Sequence, residues 1–441
     1  MMKTKKSPKF YAALVIFSLV GQVAWVVENM YLNVFIYKMF HASASQISFM
    51  VAASAVAATI TTLLIGTLSD KLGKRKIFIC GGYILWGISI LGFAAIRADW
   101  IHNLFFPAAT LGSATTSLCI TLTIGLDCLM TFFGSSANDA CFNAWLTDST
   151  DETNRGAIEG INAMMPLIAI LVVFGGFMGL NQDLQGSWSI IFCVIGGVVL
   201  LLGIAGFFLI EETVAKSTEN GKYFSNIIYG FRPSVMKENK ALYGTLIALA
   251  LFNISIQIFM PYLILYYQVS LGMENYVLIF APAIVVAAIF TGCYGRVFDK
   301  RGFQTAVLPT IAMLAAGYIG LYFLRATAWV FIASLIMMCG YLGTGAVLGA
   351  LVRAYTPENK VGMFQGLRIV GQVLIPGIVG PAIGAAILND AETVVNADGT
   401  TSFVPDAKIF FGALIALVVM LVALLPLLRM LKTGKERNYA G

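Results

Sequence analysis

The sequence predicts an all-α membrane protein with twelve transmembrane helices in two six-helix parallel-repeat halves. Composition, the number of long apolar runs and an internal repeat together predict this fold class. Of the 441 residues, 59% are hydrophobic and 11% are charged, and the mean hydropathy is +0.85. Soluble domains average about 45–50% apolar and about 25% charged residues, and disordered chains are poor in apolar residues. The composition therefore excludes a soluble globular protein and a disordered chain.

Twelve apolar runs are long enough to cross a bilayer, which takes roughly 20 residues of helix. The predicted helices cover residues 10–37, 46–67, 76–97, 118–146, 157–180, 188–210, 241–267, 274–297, 304–325, 328–354, 362–388 and 408–431. The longest polar stretch between them, residues 211–240, carries five basic residues. We expect it to be a cytoplasmic linker between an N-terminal bundle (1–210) and a C-terminal bundle (241–441).

The two halves repeat each other in sequence. Four residues recur 229 positions later: Gly66, Asp70, Lys71 and Gly73 as Gly295, Asp299, Lys300 and Gly302. After the fourth helix the offset falls to 206, as in Thr150 and Thr356. Parallel six-helix repeats are the layout of one large class of transporters. The difference of 23 residues predicts an outward-facing insertion near residues 98–120. A second polar segment, residues 389–406, contains a turn at 397–400.

The distribution of basic residues predicts the orientation. With both termini inside, 24 of the 28 Lys and Arg residues lie on the cytoplasmic side, the side that basic residues favour. We therefore expect a multi-pass protein of the plasma (inner) membrane with both termini cytoplasmic and the lipid bilayer as its surroundings. The basic excess needs no nucleic-acid partner. The seven cysteines are scattered singly, so we expect no metal site, and no cofactor is predicted.

The loop between the second and third predicted helices carries the most specific motif. It reads Gly66-Thr67-Leu68-Ser69-Asp70-Lys71-Leu72-Gly73-Lys74-Arg75 and resembles the G-x-L-x-D-K/R-x-G-K/R-K/R loop of the major facilitator superfamily. The resemblance covers essentially the whole chain and implies the major facilitator fold and a transporter rather than an enzyme. The glycines permit tight turns. We expect both copies of the loop, together with Arg155, to gate the cytoplasmic side.

A second motif, in the fourth predicted helix, resembles the glycoside–pentoside–hexuronide cation symporters, the family of melibiose permease. It consists of Asn138-Asp139-Ala140-Cys141-Phe142 followed by Asp151-x-x-x-Arg155. In that family the helix-four Asp serves both the sugar and the coupling cation, and the resemblance implies this role for Asp139. The segment Gly21-Gln22-Val23-Ala24-Trp25 is similar to the first helix of plant sucrose/proton symporters.

The second predicted helix differs from that family. Where melibiose permease has paired carboxylates for its cation, this chain has Thr61-Thr62. A proton needs one titratable carboxylate, whereas a metal ion needs several oxygen ligands. The sequence therefore favours H+ over Na+ as the coupling ion.

Three acids lie well within predicted helices, and they are the candidates for proton coupling: Asp139, Glu28 and Asp127, in that order of preference. A charge at mid-bilayer costs about 2.5–3.5 kcal/mol on insertion scales, and apolar surroundings disfavour the ionised form of a carboxylate. Each acid has a structural alternative as a protonated group hydrogen-bonded to a neighbouring helix.

Amide side chains and one indole accompany these acids. The candidate solute-binding residues are Gln22, Trp25, Asn29, Asn33, Asn138, Asn143, Asn253 and Gln257. Spacings of three and four along the first helix place its four members in one stripe. Amides bind hydroxyl groups and Trp25 offers a flat face to a sugar ring, although such a stripe can also join helices.

We therefore expect a secondary active transporter that carries a sugar or glycoside together with protons by alternating access. Two alternatives remain open: an exporter of amphipathic small molecules on the same fold, and a non-transporting sensor. An exporter would need an apolar cavity, and a sensor would bind solute without accumulating it.

Overall fold

The computed structural model describes residues 7–107, 112–150, 155–212, 230–356, 361–396 and 400–432. Within these residues, twelve helices are long and apolar enough to cross a membrane, which confirms the predicted architecture. The chain divides into two compact units, Met1–Gly221 and Lys222–Gly441. Much of the predicted linker, residues 213–229, lies outside the described residues.

The described residues of the first unit form six long helices and one short one. They are α1 (Pro8–Phe40), α2 (Ala44–Leu72), α3 (Arg75–Phe93), α4 (Ala98–Phe105), α5 (Ser113–Asp148), α6 (Arg155–Phe177) and α7 (Gln185–Leu209). Glycines let α3 and α7 pack closely, since a Cβ on Gly87 would lie 2.4 Å from the Leu200 nitrogen. A capping box at Ser43 and Gln46 begins α2.

The second unit repeats this arrangement with α8 (Pro233–Glu238), α9 (Lys240–Ser270), α10 (Val277–Arg301), α11 (Phe303–Phe323), α12 (Thr327–Tyr355) and α14 (Lys408–Lys432). Between the last two lies α13, built from Val361–Ile369, the π-helical Val370–Leu374 and Ile375–Leu388. Gly340 brings α12 against α11, with its Cβ position 2.3 Å from the Leu314 nitrogen.

The two predicted outer segments have more structure than the sequence predicts. The insertion forms the short helix α4, and α5 begins at Ser113, five residues before the predicted start at 118. The segment after α13 forms an antiparallel hairpin of β1 (Thr393–Val395) and β2 (Thr401–Phe403). The predicted turn at 397–400 has residues 397–399 outside the described residues.

Two spanning helices of the first unit are interrupted by π-helical segments. In α1 the segment is Val27–Tyr31, and in α5 it is Ser135–Phe142. A π-helical turn widens the helix and often occurs at functional sites. Glu28 and Asp139, two of the three predicted coupling acids, lie in these segments.

Candidate coupling and solute site in the first unit

Glu28 lies at the meeting point of α1, α2 and α5. Its Oε1 accepts a hydrogen bond from the Ser54 hydroxyl at 2.6 Å and another from the Thr131 hydroxyl at 2.8 Å. The two hydroxyl oxygens are themselves 2.6 Å apart. Glu28 is only 7% exposed, and its second oxygen, Oε2, has no hydrogen-bond partner. Three helices therefore hold this carboxyl group in place.

Asp127 belongs to the same cluster. It lies one helical turn from Thr131 on α5, and the Ser54 hydroxyl also lies beside its carboxyl group. Asp127 is 2% exposed, and its Oδ1 has no hydrogen-bond partner. Glu28 and Asp127 are close enough to interact electrostatically. The sequence proposed both acids separately but gave no sign that they adjoin, and it did not single out Ser54 or Thr131.

Asp139 forms a separate feature further along α5. Its Oδ2 accepts a hydrogen bond from the Ser135 hydroxyl at 3.0 Å, and the side chain is half-buried. About 18 Å of regular helix would separate it from Asp127. Asp139 still acts electrostatically on Glu28. The unit thus contains one fully buried acid pair and one more accessible acid.

Asn138, next to Asp139, has a structural partner. Its Nδ2 donates to the Tyr83 hydroxyl at 2.7 Å, and Tyr83 donates to the Phe17 carbonyl at 2.8 Å. Gly21 makes room for this pair, because a Cβ there would lie 2.3 Å from Asn138 Nδ2. Asn138 is buried and engaged in joining α1, α3 and α5, so it offers little surface to a solute.

Trp25 contacts a second indole that the sequence did not single out. The rings of Trp25 and Trp86 lie 4.9 Å apart between centroids, at an interplanar angle of 49°. Both pack over Gly134, where a Cβ would lie 2.7 Å from Trp86. Neither indole N–H has an acceptor, although each is buried. Trp25 is the more exposed of the two rings.

The amides of α1 and α5 bond to their own helices. Asn29 donates to the Trp25 carbonyl at 2.8 Å, Asn33 to the Asn29 carbonyl at 2.9 Å, and Asn143 to the Asp139 carbonyl at 3.2 Å. Asn29 and Asn143 are exposed and Gln22 is half-buried, whereas Asn33 is buried. The side-chain oxygens of the exposed amides remain free to accept from hydroxyl groups.

The second unit places Asn253 and Gln257 one turn apart on α9, both half-buried. Gln257 packs against α13, where a Cβ on Gly380 would lie 2.4 Å from Gln257 Cβ. The structure therefore shows Gln257 in a helix contact and leaves Asn253 with no hydrogen bond.

The two predicted gating loops share one backbone feature. Gly73 ends α2 with φ at 62°, and Gly302 precedes α11 with φ at 77°, a region that favours glycine. Lys71 and Gly295 are exposed, and Gly66 is half-buried. Asp70, Arg155, Asp299 and Lys300 lie in described helices, but their side chains lie outside the described part.

An ion pair next to the first loop was not predicted. Arg75 is buried, and its Nε donates to Asp148 Oδ2 at 3.2 Å while its Nη1 donates to the Ser69 hydroxyl at 2.5 Å. The pair joins the start of α3 to the end of α5. The sequence signal was present, since Arg75 closes the quoted motif, but its partner is 73 residues away.

The described residues contain no group of three or more His, Cys, Asp or Glu side chains that could hold a metal ion. The site is instead made of carboxyl, hydroxyl, amide and indole groups. These groups can exchange a proton and can hydrogen-bond a polar solute.

Comparison with known proteins identifies the family. The model of the Major Facilitator Superfamily matches residues 13–381. No curated protein sequence matches the chain.

Several solved structures share the fold. A bacterial homologue of the human lysosomal transporter Spinster matches 96% of this chain and 98% of its own at 14% identity and a TM-score of 0.68. The nucleoside transporter NupG matches 96% and 99% at 14% identity and a TM-score of 0.64. A D-xylose–proton symporter matches 94% and 97% at 12% identity and a TM-score of 0.70.

At these identities the likeness shows the fold alone. The family match, in contrast, spans most of the chain, and the twelve spanning helices agree with it. The chain therefore belongs to the Major Facilitator Superfamily and is a multi-pass membrane transporter, not an enzyme.

Proposed function

We propose that this transporter carries a sugar or glycoside together with protons by alternating access. One observation carries the proposal: buried carboxyl groups without cationic partners adjoin accessible amides and an indole face in the first unit. The acids supply a proton site, and Trp25, Asn29 and Asn143 supply contacts for a solute rich in hydroxyl groups. The resemblance of the Asp139 segment to the glycoside–pentoside–hexuronide symporters supports the same assignment.

Within this proposal, Asp139 is the acid that contacts the solute, because it is the most accessible of the three. It is half-buried rather than enclosed, and Asn143 lies one turn away on α5. Gln22 and Trp25 on α1 complete the set in the first unit. In the second unit, Asn253 on α9 is a separate candidate for solute contact. Asn138 and Gln257 also take part in helix contacts, and Asn33 bonds to its own helix. As solute contacts these three residues stay predictions.

The likeness to a D-xylose–proton symporter and a nucleoside transporter is consistent with a hydroxyl-rich solute. We further propose a plasma-membrane location with both termini cytoplasmic, on the distribution of Lys and Arg. The two loops with positive-φ glycines would then lie on the cytoplasmic side. There the Arg75–Asp148 pair anchors the first loop, which opens and closes the passage with its counterpart at Gly302.

The direct test is solute-driven proton movement in proteoliposomes that contain the purified protein. A pH-sensitive dye reports the outer medium while mono-, di- and trisaccharides are added one at a time. We expect alkalinisation with one sugar class. Movement with a sodium gradient and not with a proton gradient would overturn proton coupling, and silence across the panel with folded protein would favour an exporter or a sensor.

A further inference from the structure

The strongest unexplained feature is the hydrogen-bond geometry around Glu28. Three oxygens, Glu28 Oε1, Ser54 Oγ and Thr131 Oγ1, lie 2.6, 2.6 and 2.8 Å from one another. Each contact at this distance requires a hydrogen between the two oxygens. Each hydroxyl has a single hydrogen, so Ser54 and Thr131 supply two hydrogens for three contacts. One hydrogen is missing if Glu28 is ionised.

A proton on Glu28 completes the set. Glu28 then donates to Ser54, Ser54 to Thr131, and Thr131 back to Glu28. The close triangle therefore points to a proton as the occupant.

Two further oxygens are buried nearby without a partner, Glu28 Oε2 and Asp127 Oδ1. Their residues are more than nine-tenths buried. Two adjacent ionised carboxylates repel each other, so such pairs retain one proton. Ser54 also lies beside Asp127. By turning its hydroxyl from Thr131 to Asp127, Ser54 can accept the proton from Glu28 and donate its own hydrogen to Asp127.

The charged groups around the pair do not supply a counterion. In the described part of the first unit, Arg75 is paired with Asp148, Lys38 with Asp183 and Arg97 with Asp99, all near helix ends. The other titratable neighbours are Cys128 and Asp139, which bring no positive charge. In the described residues, no positively charged side chain is thus paired with either acid, which leaves a proton to balance their charge.

We propose that Glu28 and Asp127 hold one proton between them, with Ser54 and Thr131 as the hydroxyl bridge that positions it. This inference deepens the proposed function, on which its relevance to transport rests. It makes the pair a proton store distinct from Asp139, and it assigns Ser54 as a positioning residue.

The test counts protonated carboxyl groups by infrared spectroscopy of the purified protein in lipid nanodiscs at neutral pH, without solute. An Asp139→Asn background removes the contribution of the third acid. We expect the carboxylic C=O band to lose the area of one carboxyl group when Glu28→Gln and Asp127→Asn are added together. A loss of two would show a separate proton on each acid, and no loss would show none. Either result overturns the proposal.

Two further arms examine the bridge and the ion. Ser54→Ala should shift the band, whereas Ser48→Ala, the same change two turns earlier on α2, should leave it in place; equal spectra would overturn the role of Ser54. Replacing K+ by Na+ in the buffer should leave the band unchanged, and its loss in Na+ would identify a metal-ion site instead. The band is measured without sugar, so the two proposals can fail separately. A band loss of one carboxyl group, together with no proton movement for any sugar, would overturn the proposed function and leave the shared proton in place.

Discussion

The two halves of the repeat differ most where the acids lie. In the first helix of each half the offset is 230, since Met30 and Tyr37 recur as Met260 and Tyr267, so Glu28 corresponds to Ile258. At the offset of 206, Asp127 corresponds to Ala333, and both partners are buried and apolar. Thr131 corresponds to Met337, and Asp139 to Gly345. Apart from Asp299, which lies near the end of α10, the described spanning helices of the second unit contain no Asp or Glu.

Among the described residues, the buried acids of the spanning helices therefore lie in the first unit. The second unit buries tyrosine hydroxyls instead, such as Tyr267, which bonds to Ser334 at 2.5 Å, and Tyr318, which bonds to Ser255 at 3.1 Å. Neutral hydroxyls give rigid helix contacts without storing charge. In the described residues, the two units thus bury different polar groups, carboxyl groups in the first and neutral hydroxyls in the second.

The largest expected effect tests whether the first half alone carries the ion chemistry. Asp139→Asn should abolish uphill uptake, more than about 10-fold, because the amide cannot bind and release a proton at this site. Uptake against a gradient in proteoliposomes measures it. Asp183→Asn, which changes an exposed acid paired with Lys38, is the control and should retain uptake. Undiminished accumulation in the Asp139 variant would remove this residue from the mechanism.

The next prediction compares the free energy of unfolding at two arginines, the buried Arg75 and the half-buried Arg368. Asp148→Asn leaves buried Arg75 without its carboxylate, and we expect a loss of about 3–5 kcal/mol of unfolding free energy. In the second unit, Arg368 bonds to the neutral Gln372 at 2.9 Å. Gln372→Ala should therefore lose only about 1 kcal/mol. Thermal unfolding in detergent compares the two, and equal losses would contradict a special role for the Arg75 pair.

Close helix packing should be similar in the two halves. Gly21→Ala and Gly380→Ala each place a Cβ within 2.4 Å of a side-chain atom. Each substitution should therefore lower the free energy of unfolding by about 1–3 kcal/mol. Gly125, with no atom near its Cβ position, is the matched control. Melting temperatures measure the series. A stable Gly21→Ala protein would show that the Asn138–Tyr83 contact gives way easily.

The smallest expected effect concerns the carboxyl group of Asp406, just before α14. Burial raises the pKa of Asp406, but hydrogen bonds from Lys408 outweigh it and hold the pKa below its ordinary value. The carboxylate therefore stabilises the fold above its ordinary pKa, and this is lost as the pH falls through the lowered value. Because the Asp406 side chain is 33% exposed and solvent screens the pair, Asp406→Asn should cost about 0.3–1 kcal/mol at neutral pH and nothing in acid. Melting temperatures of Asp406→Asn and of the control Asp390→Asn are compared at neutral and acid pH. An equal loss for Asp406→Asn at both pH values would contradict the prediction.

Most of the fold was predictable because long apolar runs predict the spanning helices. Twelve spans need only length and composition, and the Gly73 and Gly302 loops repeat a recognisable motif. The hairpin was not predictable, since strands of three residues such as Thr393–Val395 are too short to show an alternating pattern.

The candidate site was predictable only in part. Buried acids are conspicuous in an apolar helix, so Glu28, Asp127 and Asp139 could be found. Ser54 could not, because a lone serine in α2 looks the same as Ser48 until the fold brings it to Glu28. The contact of Trp25 with Trp86 depends likewise on Gly134, whose missing side chain leaves room for both rings.

That indole contact has a spectroscopic consequence. Two indole rings held 4.9 Å apart at a fixed tilt couple as an exciton pair and give a signed circular dichroism signal. Trp25 lies three residues before Glu28 and Trp86 packs on the helix that carries Asp139. The protein thus contains a built-in optical reporter, readable without any attached label, for rearrangements of its acid-bearing half.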